Sequence, residues 1–340
     1  MTPFRDAAAP RRTSPRPRAG SSGSPGPGAE ATHRASPVPA AGARGRPSLE
    51  RQRVRTGLVF LAPALLAAAA VAGWPLLRTI LIGFTDAQLS SIGEARWIGF
   101  ANFEWVLTDP DWWRAVWNTL GFAAVSVALE LVLGLACALL LNAPLRWRKV
   151  LWAVALVPWA VPTVVSAQLW RLMFNDSFGV VNDLLARLGI IDAPVAWLAD
   201  PLTAMAAVVL TDVWKTTPFA TLLLLAGLQM IPDSLYDAAR MDGAGSWQRF
   251  RYVTLPMLRT PIGVAVVFRA LDALRVFDLI YVMTSNSRST ASVSVYARQQ
   301  LVDFQDAGLG SAASTLIFVV IAVISTLFVT TLRPFAAPGR

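Results

Sequence analysis

Residues 116–141 read VWNTLGFAAVSVALELVLGLACALLL, and Glu130 is the one charged side chain in this apolar run. A helix needs about 20 apolar residues to cross the hydrocarbon core of a bilayer, and this run exceeds that length. Lipid offers no hydrogen-bond partners to backbone groups, so a single spanning segment must be helical. The stretch therefore predicts a transmembrane helix and, with it, an integral membrane protein.

Five further apolar runs have similar lengths, so about six transmembrane helices are predicted and the fold class is all-α. The composition agrees, because 55% of the residues are hydrophobic and only 15% are charged, against about 25% charged in an ordinary soluble domain. Pro218 lies inside the fourth run and should kink that helix. The six predicted helices cover residues 57–83, 116–141, 149–173, 203–229, 260–284 and 311–333.

The first 55 residues are rich in Pro, Arg, Ala, Gly and Ser and show no apolar periodicity. Such a segment cannot offset its ordering entropy, so 1–55 is predicted to be a disordered, basic cytosolic tail and 56–340 a membrane domain. Eleven arginines and three acidic residues lie within residues 1–56, so nearly all of the net charge of +9 belongs to the tail. The remainder has no basic face for a duplex, which argues against a nucleic-acid partner.

The chain has one cysteine, Cys137, and one histidine, His33. These counts exclude an internal disulfide framework and a metal site built from Cys and His. Neither of the two lysines, Lys149 and Lys215, follows a glycine-rich loop, so the phosphate-binding pattern GxxxxGK[ST] is absent. We expect no cofactor on this chain, and any ATP with its Mg²⁺ would be bound by another subunit.

Loop charges predict the orientation of the helices. Four basic segments fall on one side of the six predicted helices, and the positive-inside rule makes that side cytosolic. Both termini are therefore predicted to be cytosolic. The basic residues are Arg51, Arg53 and Arg55 before the first helix, Arg146, Arg148 and Lys149 after the second, Arg240, Arg249, Arg251 and Arg259 after the fourth, and Arg333 after the sixth.

The longest predicted cytosolic loop, residues 229–259, joins the fourth and fifth helices and reads as two short helices around a glycine turn. Pro232 suits a first helical turn, and Gly243 permits a sharp turn. Leu255–Pro256 ends the second short helix at the membrane. A helical hairpin on the cytosolic face, with apolar side chains flanked by arginines, indicates a docking element.

The loop resembles the EAA loop of binding-protein-dependent ABC importer permeases, in which an EAA triplet is followed by a glycine and later by I-x-L-P. This sequence has Asp237-Ala238-Ala239, Gly243 and, after nine intervening residues, Val253-Thr254-Leu255-Pro256. It departs from the family's pattern with Asp at 237 and Val at 253, which keep the charge or the shape. The stretches WIGFANFEWVLTDPDWWRAVWNTL, DVWKTTPFATLLLLAGLQMIP and FRALDALRVFDLIYVMT extend the resemblance, over roughly residues 57–335, to carbohydrate-importer permeases of the trehalose and maltose type.

This resemblance implies a plasma-membrane permease subunit without catalytic chemistry of its own. Its implied partners are a second homologous permease, a cytosolic ATPase dimer, an extracellular substrate-binding protein, and a disaccharide or small oligosaccharide. Gly243 would let the coupling helices pack closely. The residues implied to couple this chain to the ATPase are Asp237, Ala238, Ala239, Gly243, Val253, Leu255 and Pro256.

Charged residues also lie inside the predicted helices. Four of alternating sign follow one another at three-residue intervals in the fifth: Arg269, Asp272, Arg275 and Asp278. Neighbours at this spacing lie on adjoining turns, so they are predicted to pair in a ladder that faces the bundle interior. Two interpretations stay open, a polar translocation path or a set of ion pairs that fixes packing and a gate. The candidate path or gate residues are Asp212, Trp214, Lys215, Asp272, Arg275 and Asp278.

Glu130 is expected to form a hydrogen bond with a neighbouring helix. An alternative function is an ion-coupled secondary transporter, whose membrane carboxylates would bind the coupling ion. That class predicts inverted repeats, which the sequence lacks, and it leaves the loop 229–259 without a role. An intramembrane enzyme would need a clustered acid, base or nucleophile, and no such motif is present. The importer permease is the favoured interpretation.

Overall fold

The computed structural model describes residues 46–143 and 146–336. Within these residues the regular structure is helical, apart from two isolated β-bridges, Thr85 to Trp97 and Gln88 to Asp306. Contacts divide the chain into a unit that ends at Ala62 and a unit of Pro63–Arg340. The described part of the first unit is the beginning of one helix. Up to residue 45, the predicted tail lies outside the described residues.

By length and composition, four helices in the described part of the chain can cross a membrane, and two bent helix pairs raise the number to six. The four are Thr56–Ile82, Pro110–Asn142, Pro201–Gln229 and Ala307–Phe328. The structure is thus predominantly helical, with four to six apolar spans. The helices are α1 (Arg46–Ala68), α2 (Trp74–Ile82), α3 (Ala101–Thr108), α4 (Pro110–Asn142), α5 (Arg148–Ala160), α6 (Thr163–Met173), α7 (Val180–Arg187), α8 (Pro201–Gln229), α9 (Asp233–Met241), α10 (Ser246–Arg249), α11 (Leu255–Met257), α12 (Arg259–Ala273), α13 (Asp278–Met283), α14 (Val293–Arg298) and α15 (Ala307–Ala336).

The third predicted helix, residues 149–173, is wrong as one continuous segment. α5 ends at Ala160, α6 begins at Thr163, and the two helices meet at an angle of 93°. Pro162 lies in the break and has no backbone N–H to continue the helix. It also disfavours helical backbone in the residue before it, and Val161 is extended, with φ −73° and ψ 132°. We call α5 and α6 together the third span.

The fifth predicted helix, residues 260–284, is also wrong as one continuous segment. α12 ends at Ala273, and residues 274–277 leave the helical path before α13 begins. The Ser292 hydroxyl donates to the Val276 carbonyl at 2.7 Å. A tertiary contact therefore satisfies a carbonyl that a continuous helix would have used, and the apolar pattern of the sequence did not reveal it.

The centre of the larger unit is formed by α4, α8 and α12, and α4 and α8 share its most extensive helix contact. Small residues permit the close approach. A Cβ added to Gly134 of α4 would lie 3.0 Å from the Ala220 Cβ of α8, and one added to Gly227 would lie 2.5 Å from Pro261 of α12. Close approach through small residues is typical of helix packing in membranes.

Candidate functional site

A buried cluster of polar side chains lies where α4, α8 and α12 meet. The Arg269 guanidinium binds the Glu130 carboxylate at two points, with Nε 2.5 Å from Oε2 and Nη2 2.9 Å from Oε1. Arg269 exposes 3% of its surface and Glu130 exposes none. The prediction that Glu130 forms a hydrogen bond with a neighbouring helix is confirmed.

Two hydroxyl groups connect this ion pair to α8. Ser126 Oγ lies 2.8 Å from Glu130 Oε1 and 2.5 Å from Asp212 Oδ2. Thr216 Oγ1 lies 2.6 Å from Glu130 Oε1. Asp212 also accepts a longer bond of 3.3 Å from Arg269 Nη2. Charges at this depth are costly unless partners surround them, and each ionic group here has several partners.

The predicted ladder is present only in part. Arg269 Nη1 lies 2.5 Å from Asp272 Oδ2, one turn along α12, and 67% of the Asp272 side chain is exposed. Arg275 lies within the helix break and Asp278 begins α13, and neither forms an ion pair within the described residues. A four-residue ladder on one helix is therefore wrong, because α12 ends between its two halves. Arg269 binds Glu130 and Asp212 on other helices instead.

Lys215 of α8 contacts the third span. Its Nζ donates to the Val161 carbonyl at 2.7 Å, and the residue is 8% exposed. Lys215 and Asp212 stand three residues apart on α8, yet no ion pair joins them in the described part of the chain. The adjacent Trp214 packs edge-on against Trp170 of α6, with 5.6 Å between ring centroids.

Two cavities lie beside the cluster and share Asp272 and Arg275. The aromatic cavity, of about 310 Å³, is bordered by Trp159, which stacks on Phe219 with 6.3 Å between ring centroids. The other, which we call the interior cavity, has a volume of about 270 Å³. It is lined by Phe122, Thr163, Asp212, Lys215, Thr216, Asp272, Ala273, Arg275, Val276, Phe277, Asp278 and Leu279. Five of the six candidate path or gate residues thus meet at one cavity, and Trp214 lies outside its lining.

The loop between α8 and α12 forms the predicted helical hairpin. Its first arm is α9, and its second arm is α10, the π-helical turn Phe250–Thr254 and α11. The hydroxyls of Tyr236 and Thr254 lie 3.0 Å apart and join the two arms. A groove of about 880 Å³ separates the hairpin from the ends of α4 and α8. Asp237, Ala238, Gly243 and Pro256 are exposed, and Ala239, Val253 and Leu255 are half-buried.

The turn of the hairpin depends on Gly243, whose φ of +76° lies in the left-handed region. A side chain disfavours this conformation, so the backbone favours glycine at this position. An added Cβ would meet nothing within 4 Å. The expectation that Gly243 lets the coupling helices pack closely, and its role in docking to another subunit, stay predictions.

Three members of the site were not predicted from the sequence: Ser126, Thr216 and Val161. A signal was present for the two hydroxyls, because Ser126 precedes Glu130 by four residues and Thr216 follows Asp212 by four. Such pairs lie on one helix face. Val161 belongs to the site because its backbone carbonyl accepts the hydrogen bond from Lys215. The Val–Pro sequence at 161–162 was the signal for the helix break that leaves this carbonyl available.

Comparison with known proteins identifies relatives over most of the chain. Residues 130–337 match the family described as the binding-protein-dependent transport system inner membrane component. The chain is 43% identical over 275 residues to the trehalose/maltose transport system permease protein MalF of Thermococcus litoralis, which covers 80% of this chain and 92% of that protein. It is 39% identical over 285 residues to the trehalose transport system permease protein SugA of Mycobacterium tuberculosis, with coverage of 84% and 91%.

The fold also has a solved counterpart. A chain from a bacterial ABC transporter involved in the import of the acidic polysaccharide alginate superposes with a TM-score of 0.72. The match covers 86% of this chain and 100% of that chain, at 23% sequence identity. At this level of identity the comparison establishes the shared fold alone.

These relationships decide between the classes that the sequence left open. The alternative of an ion-coupled secondary transporter is wrong, because the family match and the relatives place the chain among components of binding-protein-dependent systems. With its apolar spans, the chain is a multi-pass protein of the plasma membrane and a transport subunit. This chain belongs to the family of inner membrane components of binding-protein-dependent transport systems.

Proposed function

We propose that this chain is the permease subunit of an ATP-driven importer for a carbohydrate, either a disaccharide or a small oligosaccharide. One observation carries the proposal, the 43% identity to a trehalose/maltose permease over 92% of that protein's length. The 39% identity to a trehalose permease supports the same class of substrate. Which sugar is carried depends on the assembly as well as on this chain, because a separate binding protein selects the substrate.

The interior cavity is the proposed path of the substrate. A sugar presents hydroxyl groups at its edges and C–H groups on its ring faces, so its contacts combine polar side chains with aromatic rings. Asp272 and Arg275, which line both cavities, supply hydrogen-bond acceptors and donors. Trp159 and Phe219 supply an apolar surface on the neighbouring wall. The polar lining of the interior cavity is completed by Asp212, Lys215 and Asp278. Trp214 lies outside this lining and would support it by packing against Trp170.

The hairpin is the proposed coupling element, within residues 229–259 of a membrane domain that covers 56–340. Its exposed face would dock into a cytosolic ATPase dimer, and that dimer would bind ATP and Mg²⁺. Docking on the cytosolic side requires both termini to be cytosolic, in agreement with the loop charges, and makes residues 1–55 a cytosolic tail. ATP-driven closure of the dimer would move the hairpin and, with it, α8 and α12.

Two further partners follow from this assignment. A second homologous permease would face this chain across the substrate path, and an extracellular substrate-binding protein would deliver the sugar. A solved alginate transporter of the same fold is in complex with a periplasmic protein bound to alginate pentasaccharide. That complex supports a substrate-binding protein as a partner of this chain.

The test is uptake by the full assembly. The chain would be purified from its native membrane with its co-purifying proteins, placed in lipid vesicles and supplied with ATP on the hairpin side. We expect ATP-dependent uptake of labelled trehalose or maltose that requires the binding protein, and no uptake of a labelled amino acid. Sugar uptake driven by an ion gradient without ATP would contradict the proposal, as would purification of an active chain without any ATPase.

A further inference from the structure

Lys215 contacts the third span at the point where that span breaks. The Val161 carbonyl lies after the end of α5 at Ala160 and before the start of α6 at Thr163. Lys215 Nζ lies 2.7 Å from this oxygen. The lysine is almost completely buried, so the structure holds its ammonium group at the break rather than in bulk solvent.

The chemistry of the two groups explains the contact. A carbonyl at the C-terminal end of a helix lacks an intrahelical partner and carries part of the negative end of the helix dipole. The lysine ammonium is a cation with three N–H donors, so it suits this position better than a neutral side chain does. Within the described residues, no carboxylate forms an ion pair with Lys215, and its hydrogen bond goes to Val161. The hydrogen bond from Lys215 therefore satisfies the carbonyl group that the break leaves without a helical partner.

Lys215 joins the break to a fixed part of the bundle. It stands on α8, the helix that shares the most extensive contact with α4. Its neighbours Asp212 and Thr216 are held by the cluster around Glu130 and Arg269. The two arms of the third span have different partners, because α5 packs mainly on α8 and α6 packs mainly on α13.

We propose that Lys215 is a positioning residue that holds the 93° bend of the third span and thereby shapes the interior cavity. Thr163, at the start of α6, lines that cavity together with Lys215. Straightening of the break would therefore move the cavity wall. The inference rests on the proposed function only where it treats this cavity as the substrate path. The cavity wall also contains the charged groups of Asp212, Asp272, Arg275 and Asp278.

The bend can be measured directly in the complex purified from its native membrane. Spin labels would be attached to cysteines at Val154 on α5 and Leu172 on α6, both exposed, with Cys137 replaced by serine. In a straight helix these positions would stand ~27 Å apart, so straightening lengthens the measured distance. Lys215→Met removes the donor while keeping a long side chain, and Lys215→Arg keeps a cationic donor. Lys149→Met, which removes the other, exposed lysine, is the matched control.

Without sugar or ATP, we expect Lys215→Met to lengthen or broaden the distance distribution, and Lys215→Arg and Lys149→Met to keep that of the native chain. Sugar uptake should be lost in Lys215→Met and restored in Lys215→Arg. An unchanged distance in Lys215→Met would overturn the inference, as would an arginine variant that behaves like the methionine variant. Because the bend is measured without substrate, a failure of the carbohydrate assignment would show in the uptake assay and leave this result intact.

Discussion

Arg269 and Glu130 form a two-point ion pair between α12 and α4, and both residues are buried. The two residues stand 139 positions apart in the chain. The pair therefore fixes one helix against another at the centre of the bundle. Asp212 and Asp272 contact the same guanidinium, so one arginine serves three carboxylates.

Arg269→Gln should destabilise the protein more than Glu130→Gln. Loss of the arginine leaves Glu130 and Asp212 as two buried carboxylates without a cation, whereas loss of the Glu130 charge leaves Arg269 with Asp212 and Asp272. Removing one partner of a buried ion pair costs about 3–5 kcal/mol, and Arg269→Gln should lie at or above this range. The midpoint of denaturant unfolding in detergent measures the difference.

The control for this ranking is an exposed ion pair. Arg187 and Asp183 lie one turn apart on α7, with 76% and 57% of their side chains exposed. Arg187→Gln should change stability by less than about 1 kcal/mol, because solvent screens such pairs. Equal losses in Arg187→Gln and Arg269→Gln would show that the buried cluster has no special role.

Much of the fold followed from the sequence because its signal was local. The runs at 116–141 and 203–229 are long and apolar, and each lies within one observed helix. The hairpin at 229–259 was predicted by its proline and glycine positions, which act over a few residues. Pro162 was also a local signal, for the break in the third span. The length of the apolar run at 149–173 nevertheless led to the prediction of one continuous helix.

The interior cluster could be predicted only in part, because its contacts join distant segments. The Arg269–Asp272 pair was predicted within one helix, but the pairs of Arg269 with Glu130 and Asp212 on other helices were not. Ser126 contacts Asp212 across 86 positions, and Lys215 contacts Val161 across 54. No periodicity along a single helix carries that information. The break after Ala273, which separates the two halves of the expected ladder, likewise contains a contact between distant segments, from Ser292 to the Val276 carbonyl.

Gly227→Ala should disturb the crossing of α8 and α12. An added Cβ would lie 2.5 Å from Pro261 Cγ and 2.7 Å from its Cβ, which is too close without a shift of one helix. Overpacking of this kind costs about 1–3 kcal/mol. Gly121→Ala on α4 is the control, because its Cβ would meet nothing within 4 Å and alanine favours the helix. A lower unfolding midpoint for Gly227→Ala and an equal or higher one for Gly121→Ala is the expected result.

Tyr296 should make the protein less stable in alkali. It is 2% exposed, and its hydroxyl donates to Asp109 Oδ2 at 2.6 Å. Burial raises the pKa of Tyr296 above its ordinary value, and the hydrogen bond to Asp109 raises that pKa further. The unfolded chain therefore loses this proton first, near pH 10, while the folded chain keeps it.

Stability from this group is consequently full below about pH 10 and decreases above it by ~1.4 kcal/mol per pH unit. Unfolding midpoints of the native chain, measured from pH 8 to pH 11, should show this decrease above about pH 10. Tyr296→Phe should have a shallower slope, because the titrating hydroxyl is gone. Parallel slopes in the two proteins would contradict the assignment to Tyr296.

Gly243→Asp should reduce sugar uptake far more than Gly243→Asn does. Both substitutions place a side chain of the same shape at φ +76°, a conformation that Asn and Asp tolerate better than other residues. Neither meets a neighbour within this chain, so the turn should survive in both. Only aspartate adds a charge to the face proposed to dock on the ATPase. Uptake and ATP hydrolysis by the reconstituted assembly, with membrane insertion as the control, separate the two effects. Equal loss in both variants would assign the role of Gly243 to the turn, and normal uptake in Gly243→Asp would remove this turn from the proposed docking surface.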